Sequence, residues 1–122
     1  MSFLRPAKEA SAVARGQAAE EEALAYLRQQ GLVLVERNFS CRCGEIDLIM
    51  RDKHALVFVE VRQRGSRRFG GAAASVTAVK QTRLVQTASL YLQRFARPPA
   101  CRFDLVAIDG NDLEWLQDII SQ

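Results

Sequence analysis

Two apolar runs joined by a short polar stretch constrain this chain most: Gly44-Glu45-Ile46-Asp47-Leu48-Ile49-Met50 and Ala55-Leu56-Val57-Phe58-Val59-Glu60-Val61-Arg62. Their length, β-branched content and polar junction read as the two strands of a hairpin. Both carry acids inside apolar sequence. A buried, unpaired carboxylate is costly, or its pKa rises until it is neutral. A bound divalent cation removes that cost, so the pattern points to a metal site.

If Arg51-Asp52-Lys53-His54 closes a symmetric hairpin, Glu45 lies opposite Glu60 and Asp47 opposite Phe58. Period-two alternation then puts Glu45, Asp47, Glu60 and Arg62 on one face. Asp47 and Glu60 become diagonal neighbours at roughly 7–8 Å, within reach of one ion. Oxygen donors suit Mg²⁺ or Mn²⁺. The competing reading is a solvated sheet face whose acids pair with arginines.

The chain has 122 residues, enough for one domain with its own core. No apolar run approaches the roughly 20 residues of a membrane helix, and the N-terminal stretch lacks a signal segment, so no membrane partner and a cytoplasmic location are expected. Cys41, Cys43 and Cys101 are an odd number for a disulfide framework and fit a reducing compartment. A zinc site from these and His54 is disfavoured by the tight Cys-x-Cys spacing.

The net charge of +3 hides its distribution. From Val61 to Arg102 there is no acid, while Arg62, Arg64, Arg67, Arg68, Lys80, Arg83, Arg94, Arg97 and Arg102 all fall there. An anionic partner is the natural complement, and a phosphate backbone is the first candidate.

The remaining pattern gives an αβββαββ order. Residues 1–15 are expected to form a flexible basic arm, and 16–122 a single domain. A helix from Gly16 to Gln30 ends at Gly31; its stripe of Ala19, Ala23, Leu24 and Leu27 turns Glu20 inward. Leu32 to Glu36 reads as a short strand, and Arg37-Asn38-Phe39-Ser40 as a turn. Gly65 to Gly71 is a loop whose Arg67 and Arg68, with Arg64 before it, can grip phosphates. A second helix runs from a Ser75 cap to about Phe95, with Leu84, Ala88, Tyr91 and Phe95 inward and Lys80 and Gln81 at its edge. Arg102 to Ile108 and Leu113 to Leu116 complete the sheet. Asp104 has no evident partner in sequence and reads as structural.

Gly16-Gln17-x-Ala19-Glu20, Arg37-Asn38, Gly44-Glu45-Ile46-Asp47-Leu48-Ile49, Phe58-Val59-Glu60-Val61-Arg62, Phe69-Gly70 with Ala72 to Ala74, and Val79-Lys80-Gln81 together resemble the bacterial YraN family, over nearly all the chain from Gly16 onward. The resemblance implies an α/β restriction-endonuclease-like PD-(D/E)xK fold, similar to archaeal Holliday junction resolvases, and a Mg²⁺- or Mn²⁺-dependent endonuclease acting on DNA. It makes Asp47, Glu60 and Glu20 the acids, joined at the metal by the Val61 carbonyl. Arg62 takes the position usually held by lysine, and Lys80 and Gln81 form an auxiliary pair. Arg64, Arg67, Arg68, Lys80 and Arg83 are the expected nucleic-acid contacts. Resolvases act as homodimers on two-fold substrates, although no residue here fixes that state. The motif's proline is replaced by Ile46. Arg62 stays protonated at ordinary pH, so it can orient water or stabilise negative charge but cannot act as a base. The rival readings are a noncatalytic nucleic-acid-binding module on the same scaffold and a protein-interaction scaffold with a basic face.

Overall fold

Alanine is the best helix former, and the alanine-rich N-terminal segment accordingly joins the first helix. In the computed structural model, which describes residues 7–63 and 76–120 with side chains from residue 16 onward, α1 spans Ala7–Gln29. It therefore begins well before Gly16, inside the segment expected to be an arm. It ends as expected at Gly31, whose φ of 98° suits glycine. The Gly31 N–H donates to Arg28 O at 3.0 Å and the Leu32 N–H to Leu27 O at 3.0 Å, a Schellman closure.

Strand β1 (Val33–Cys41) pairs antiparallel with β2 (Gly44–Asp52), which pairs antiparallel with β3 (Ala55–Gln63). Helix α2 (Ala78–Leu92) crosses over to β4 (Cys101–Asp109), parallel to β3, and β5 (Asp112–Leu116) returns antiparallel. The result is one mixed five-stranded sheet in the order β1-β2-β3-β4-β5 with two helices. Among the described residues no helix is long and apolar enough to cross a membrane.

Arg37 to Ser40 is strand rather than turn. The ladder continues through Arg37↔Leu48 and Phe39↔Ile46, and the irregularity falls instead between Leu34 and Glu36. Asn38 takes a φ of 52°, which asparagine tolerates better than most residues, without breaking the pairing. The second helix starts later and ends earlier than expected, its cap being Thr77, whose hydroxyl accepts from the Lys80 N–H at 3.2 Å. Ser75 and the Gly65–Gly71 loop lie outside the described residues.

The hairpin register also differs from the expected one. Lys53 adopts a φ of 58°, so the turn closes in two residues and Asp52 pairs with Ala55. Phe58 consequently faces Ile49 rather than Asp47. The shift is by an even number of residues, so it changes partners without exchanging faces.

Each helix covers one face. Ala19, Ala23, Leu24 and Leu27 pack with Leu48, Met50, Val57, Val59 and Val106. On the other face Leu84, Ala88 and Tyr91 pack with Ile46, Ile49, Phe58, Phe103 and Leu105, and Phe95 joins from the rim. Ile46 and Ile49 share this second cluster although they lie an odd number of residues apart. Strict alternation is interrupted around Asp47.

Candidate acidic site

The β2–β3 ladder ends at Leu48↔Val59, and continuing its register carries Asp47 to the position opposite Glu60. There the Val61 N–H donates to Asp47 Oδ2 at 2.8 Å. Burial pushes the Asp47 carboxyl up to about 7, and Glu60, Glu20 and Glu45 add to this against the opposing Val61 hydrogen bond. Asp47 thus sits in the combined field of three other acids.

Glu60 is buried, with a side chain only 5% exposed. It faces α2, from which Lys80 extends Nζ to 2.9 Å from Glu60 Oε2. Arg62 Nε stands 3.3 Å from the same oxygen, but without hydrogen-bonding geometry. Two cations therefore serve one buried carboxylate. Lys80 is the closer and better placed.

Glu20, on α1, is half-buried and lies 3.8 Å from Arg37 of β1, which also holds Glu21 at 2.7 Å. These residues, with Gln17, Ala18 and Asn38, line a cleft of about 470 Å³. The structure thus brings Asp47, Glu60, Arg62 and Lys80 together, with Glu20 beside them. Gln81 is not among them: its carboxamide donates to Val76 O at 3.2 Å and closes the helix start. Arg83 is exposed one turn further along α2. Arg64, Arg67 and Arg68 lie outside the described residues.

The three acids do not converge on one point as expected. Among the described residues no three His, Cys, Asp or Glu groups stand close enough to hold an ion in this arrangement. The physical reason is local neutralisation: Lys80 and Arg62 draw Glu60 to one side, and Arg37 draws Glu20 to the other. The donors of Asp47, Glu60 and Glu20 are nevertheless all carboxylate oxygens, which suits a hard cation and not zinc. Arg37 is the residue that sequence reasoning missed. It stood in a matched motif, but as part of an expected turn it had no face to be assigned to.

A single mixed sheet between two helices, with a buried acid pair where β2 and β3 part, defines a small α/β protein carrying a polar site in its core. The profile described as "Uncharacterised protein family UPF0102" matches residues 19–108 and so spans every acid of that site. The chain is 56% identical to a UPF0102 protein of Janthinobacterium sp. (strain Marseille), covering 98% of this chain and 95% of the relative. It is 58% identical to one of Herminiimonas arsenicoxydans, over 86% and 85%. A UPF0102 protein of Nitrosomonas europaea is 52% identical over 92% and 98%. The chain belongs to the UPF0102 family, the YraN family of the motif resemblance.

Proposed function

We propose that this chain is a metal-dependent endonuclease on a restriction-endonuclease-like fold that hydrolyses phosphodiester bonds in DNA, with branched or otherwise structured DNA among the candidate substrates. The observation that carries the reading is Asp47: a carboxyl in the sheet, raised to about 7 by burial and by Glu60, Glu20 and Glu45. Such crowding of acids is unfavourable unless a cation offsets it. Lys80, on α2 of the β3-α2-β4 crossover, stands 2.9 Å from Glu60, which supports giving it an auxiliary role.

Asp47 and Glu60 would hold Mg²⁺ or Mn²⁺, with Glu20 and the Val61 carbonyl as further donors. The ion would supply Lewis acidity and lower the pKa of water for attack on phosphorus. Lys80 provides the ammonium that Arg62 cannot replace, compensating negative charge that grows on the phosphoryl oxygens. Arg62 adds a second positive charge beside Glu60. Arg83 of α2, with Arg64, Arg67 and Arg68, would attract the DNA backbone.

The test is incubation of the purified chain with duplex, single-stranded, flap and four-way DNA in Mg²⁺ or Mn²⁺, beside Asp47→Asn and Glu60→Gln. Cleavage by the parent that both substitutions abolish, a loss of about 10³-fold or more, supports the reading. Salt-sensitive binding with intact substrate throughout supports the second one, a noncatalytic binding module. That alternative draws on one observation, that Glu60 already has Lys80 and Arg62 as counter-ions. Binding neither DNA nor Mn²⁺ would leave only a protein-interaction scaffold.

A further inference from the structure

At the tip of the β1–β2 hairpin two thiols are held against each other. β1 ends at Cys41, Arg42 and Cys43 form the turn, and Gly44 pairs back onto Cys41. The Cys43 N–H donates to Cys41 Sγ at 3.2 Å. The Cys41 thiol reaches Thr87 Oγ1 of α2 at 3.7 Å, and the Thr87 hydroxyl donates to Arg83 O at 2.8 Å. The Cys43 thiol and the Gly44 N–H also bond to the Cys41 sulfur. Glycine at 44 permits this approach of helix and turn, because a Cβ there would come within 3.3 Å of Thr87 Oγ1.

We propose that Cys41 and Cys43 form a thiol–disulfide exchange site for low-molecular-weight disulfides, with Cys41 as the attacking sulfur and Cys43 as the resolving one. Several donors converge on the Cys41 sulfur, the arrangement a thiolate needs. Burial raises the Cys41 pKa, but its hydrogen bonds outweigh it and hold the thiol below its usual value, the donors to the sulfur being Cys43 and the Gly44 N–H while Thr87 Oγ1 accepts. Cys43 moves the other way, chiefly through its hydrogen bond to Cys41, with burial and repulsion from Cys41 adding. Both cysteines are partly exposed and so accessible to a small disulfide. Residues two apart around a tight turn fall within the roughly 4.4–6.8 Å Cα spacing that a disulfide spans.

The chemistry balances without a further reagent. The Cys41 thiolate attacks one sulfur of the small disulfide, breaks its S–S bond and releases one thiolate. Cys43, losing its proton to solvent or to that thiolate, then attacks Cys41 Sγ and expels the second thiol. Two protein thiols are oxidised and one disulfide is reduced to two thiols. The Cys41 hydrogen bond to Thr87 is lost in the product, at the end of β1, where Cys41 pairs with Gly44 of the strand that carries Asp47.

Glutathione disulfide, the full-length chain and trypsin provide the test. Trypsin cuts after Arg37, Arg42 and Arg51, so the peptides 38–42 and 43–51 each hold one cysteine and remain joined only through a Cys41–Cys43 bond. In the parent, mass spectrometry should find the two peptides joined, without retained glutathione and separable by reductant. Cys43→Ser should keep glutathione on the 38–42 peptide. Cys101, at the opposite end of the sheet and raised by burial, is the internal control and should react at least about tenfold more slowly. Equal labelling of Cys101 and Cys41, or a parent that retains glutathione with the peptides unjoined, overturns the proposal. Neither outcome depends on DNA cleavage.

Discussion

The sheet holds buried acids in two places, and their surroundings differ in kind. Asp104, fully buried on β4, accepts from Arg102 Nε at 3.0 Å, Trp115 Nε1 at 2.9 Å and the Asp118 N–H at 3.0 Å. Arg102 is itself tied to Asp52 at 3.1 Å. The donors to Asp104 are all parts of the fold, and Asp52 shares Arg102 through a different guanidinium nitrogen. Asp47, on β2 two strands away in the same sheet, has the Val61 N–H and otherwise a field of acids. A carboxylate closed by its own fold is a structural tie. One left among other acids is destabilised when ionised, and under the proposed function a bound cation would offset that.

The largest effect expected from this contrast is at Asp104. Asp104→Ala leaves the buried side of Arg102 and the Trp115 indole without an acceptor, which should lower stability by about 3–5 kcal/mol. Urea unfolding at neutral pH measures it. A loss below about 1 kcal/mol would erase the distinction between the two regions.

Asp47 should behave in the opposite sense. Its folded pKa of about 7 lies above the ordinary 3.8, so the folded state holds the proton more tightly than the unfolded chain. Below the lower value both states are protonated and nothing is lost. As pH rises from there to about 7 the parent is progressively destabilised, and above it the full penalty remains. Asn keeps an oxygen for the Val61 N–H and carries no charge. Asp47→Asn should therefore be more stable than the parent by roughly 2–4 kcal/mol near pH 8, with the gap shrinking toward acid pH. Urea titrations at a series of pH values give the curve; added Mn²⁺ should narrow the gap at alkaline pH by stabilising the parent alone. A variant weaker than its parent near pH 8 contradicts the account.

Much of this contrast was legible before the structure, and the gaps have physical causes. The element order, the inward stripe of α1 and the core role of Tyr91 and Phe95 follow from apolar periodicity, which burial enforces. Acids inside apolar strands singled out Asp47 and Glu60 for the same reason. The register was misjudged because it depends on the backbone of one residue, Lys53, in a left-handed conformation that lysine does not advertise. Asp104 looked partnerless because Arg102, on its own strand, reads as part of the basic stretch, and the other donors, Trp115 and the Asp118 N–H, come from β5 and beyond, a pairing no local spacing encodes. Arg37 was hidden by a turn-like composition that the sheet overrode. The dispersal of Glu20, Asp47 and Glu60 was not visible, since ion pairs to Arg37 and Lys80 join separate elements.

The smallest expected effects separate the two cations on Glu60. Lys80 holds hydrogen-bond distance at 2.9 Å, whereas Arg62 stands at 3.3 Å with its Nε unbonded, and both side chains are about one-third exposed. Lys80→Met should therefore cost about 1–3 kcal/mol, because a buried carboxylate loses its only well-aligned donor of the two. Arg62→Lys keeps a positive charge at a contact of poor geometry and should stay within about 0.5 kcal/mol of the parent. The same pair divides the proposed chemistry. If Lys80 supplies the ammonium of the proposed mechanism, Lys80→Met should lose about tenfold or more of cleavage while Arg62→Lys changes little. A strong gain from Arg62→Lys with Lys80→Met neutral would reverse the assignment, making Lys80 a pairing partner and the strand position the one that limits turnover.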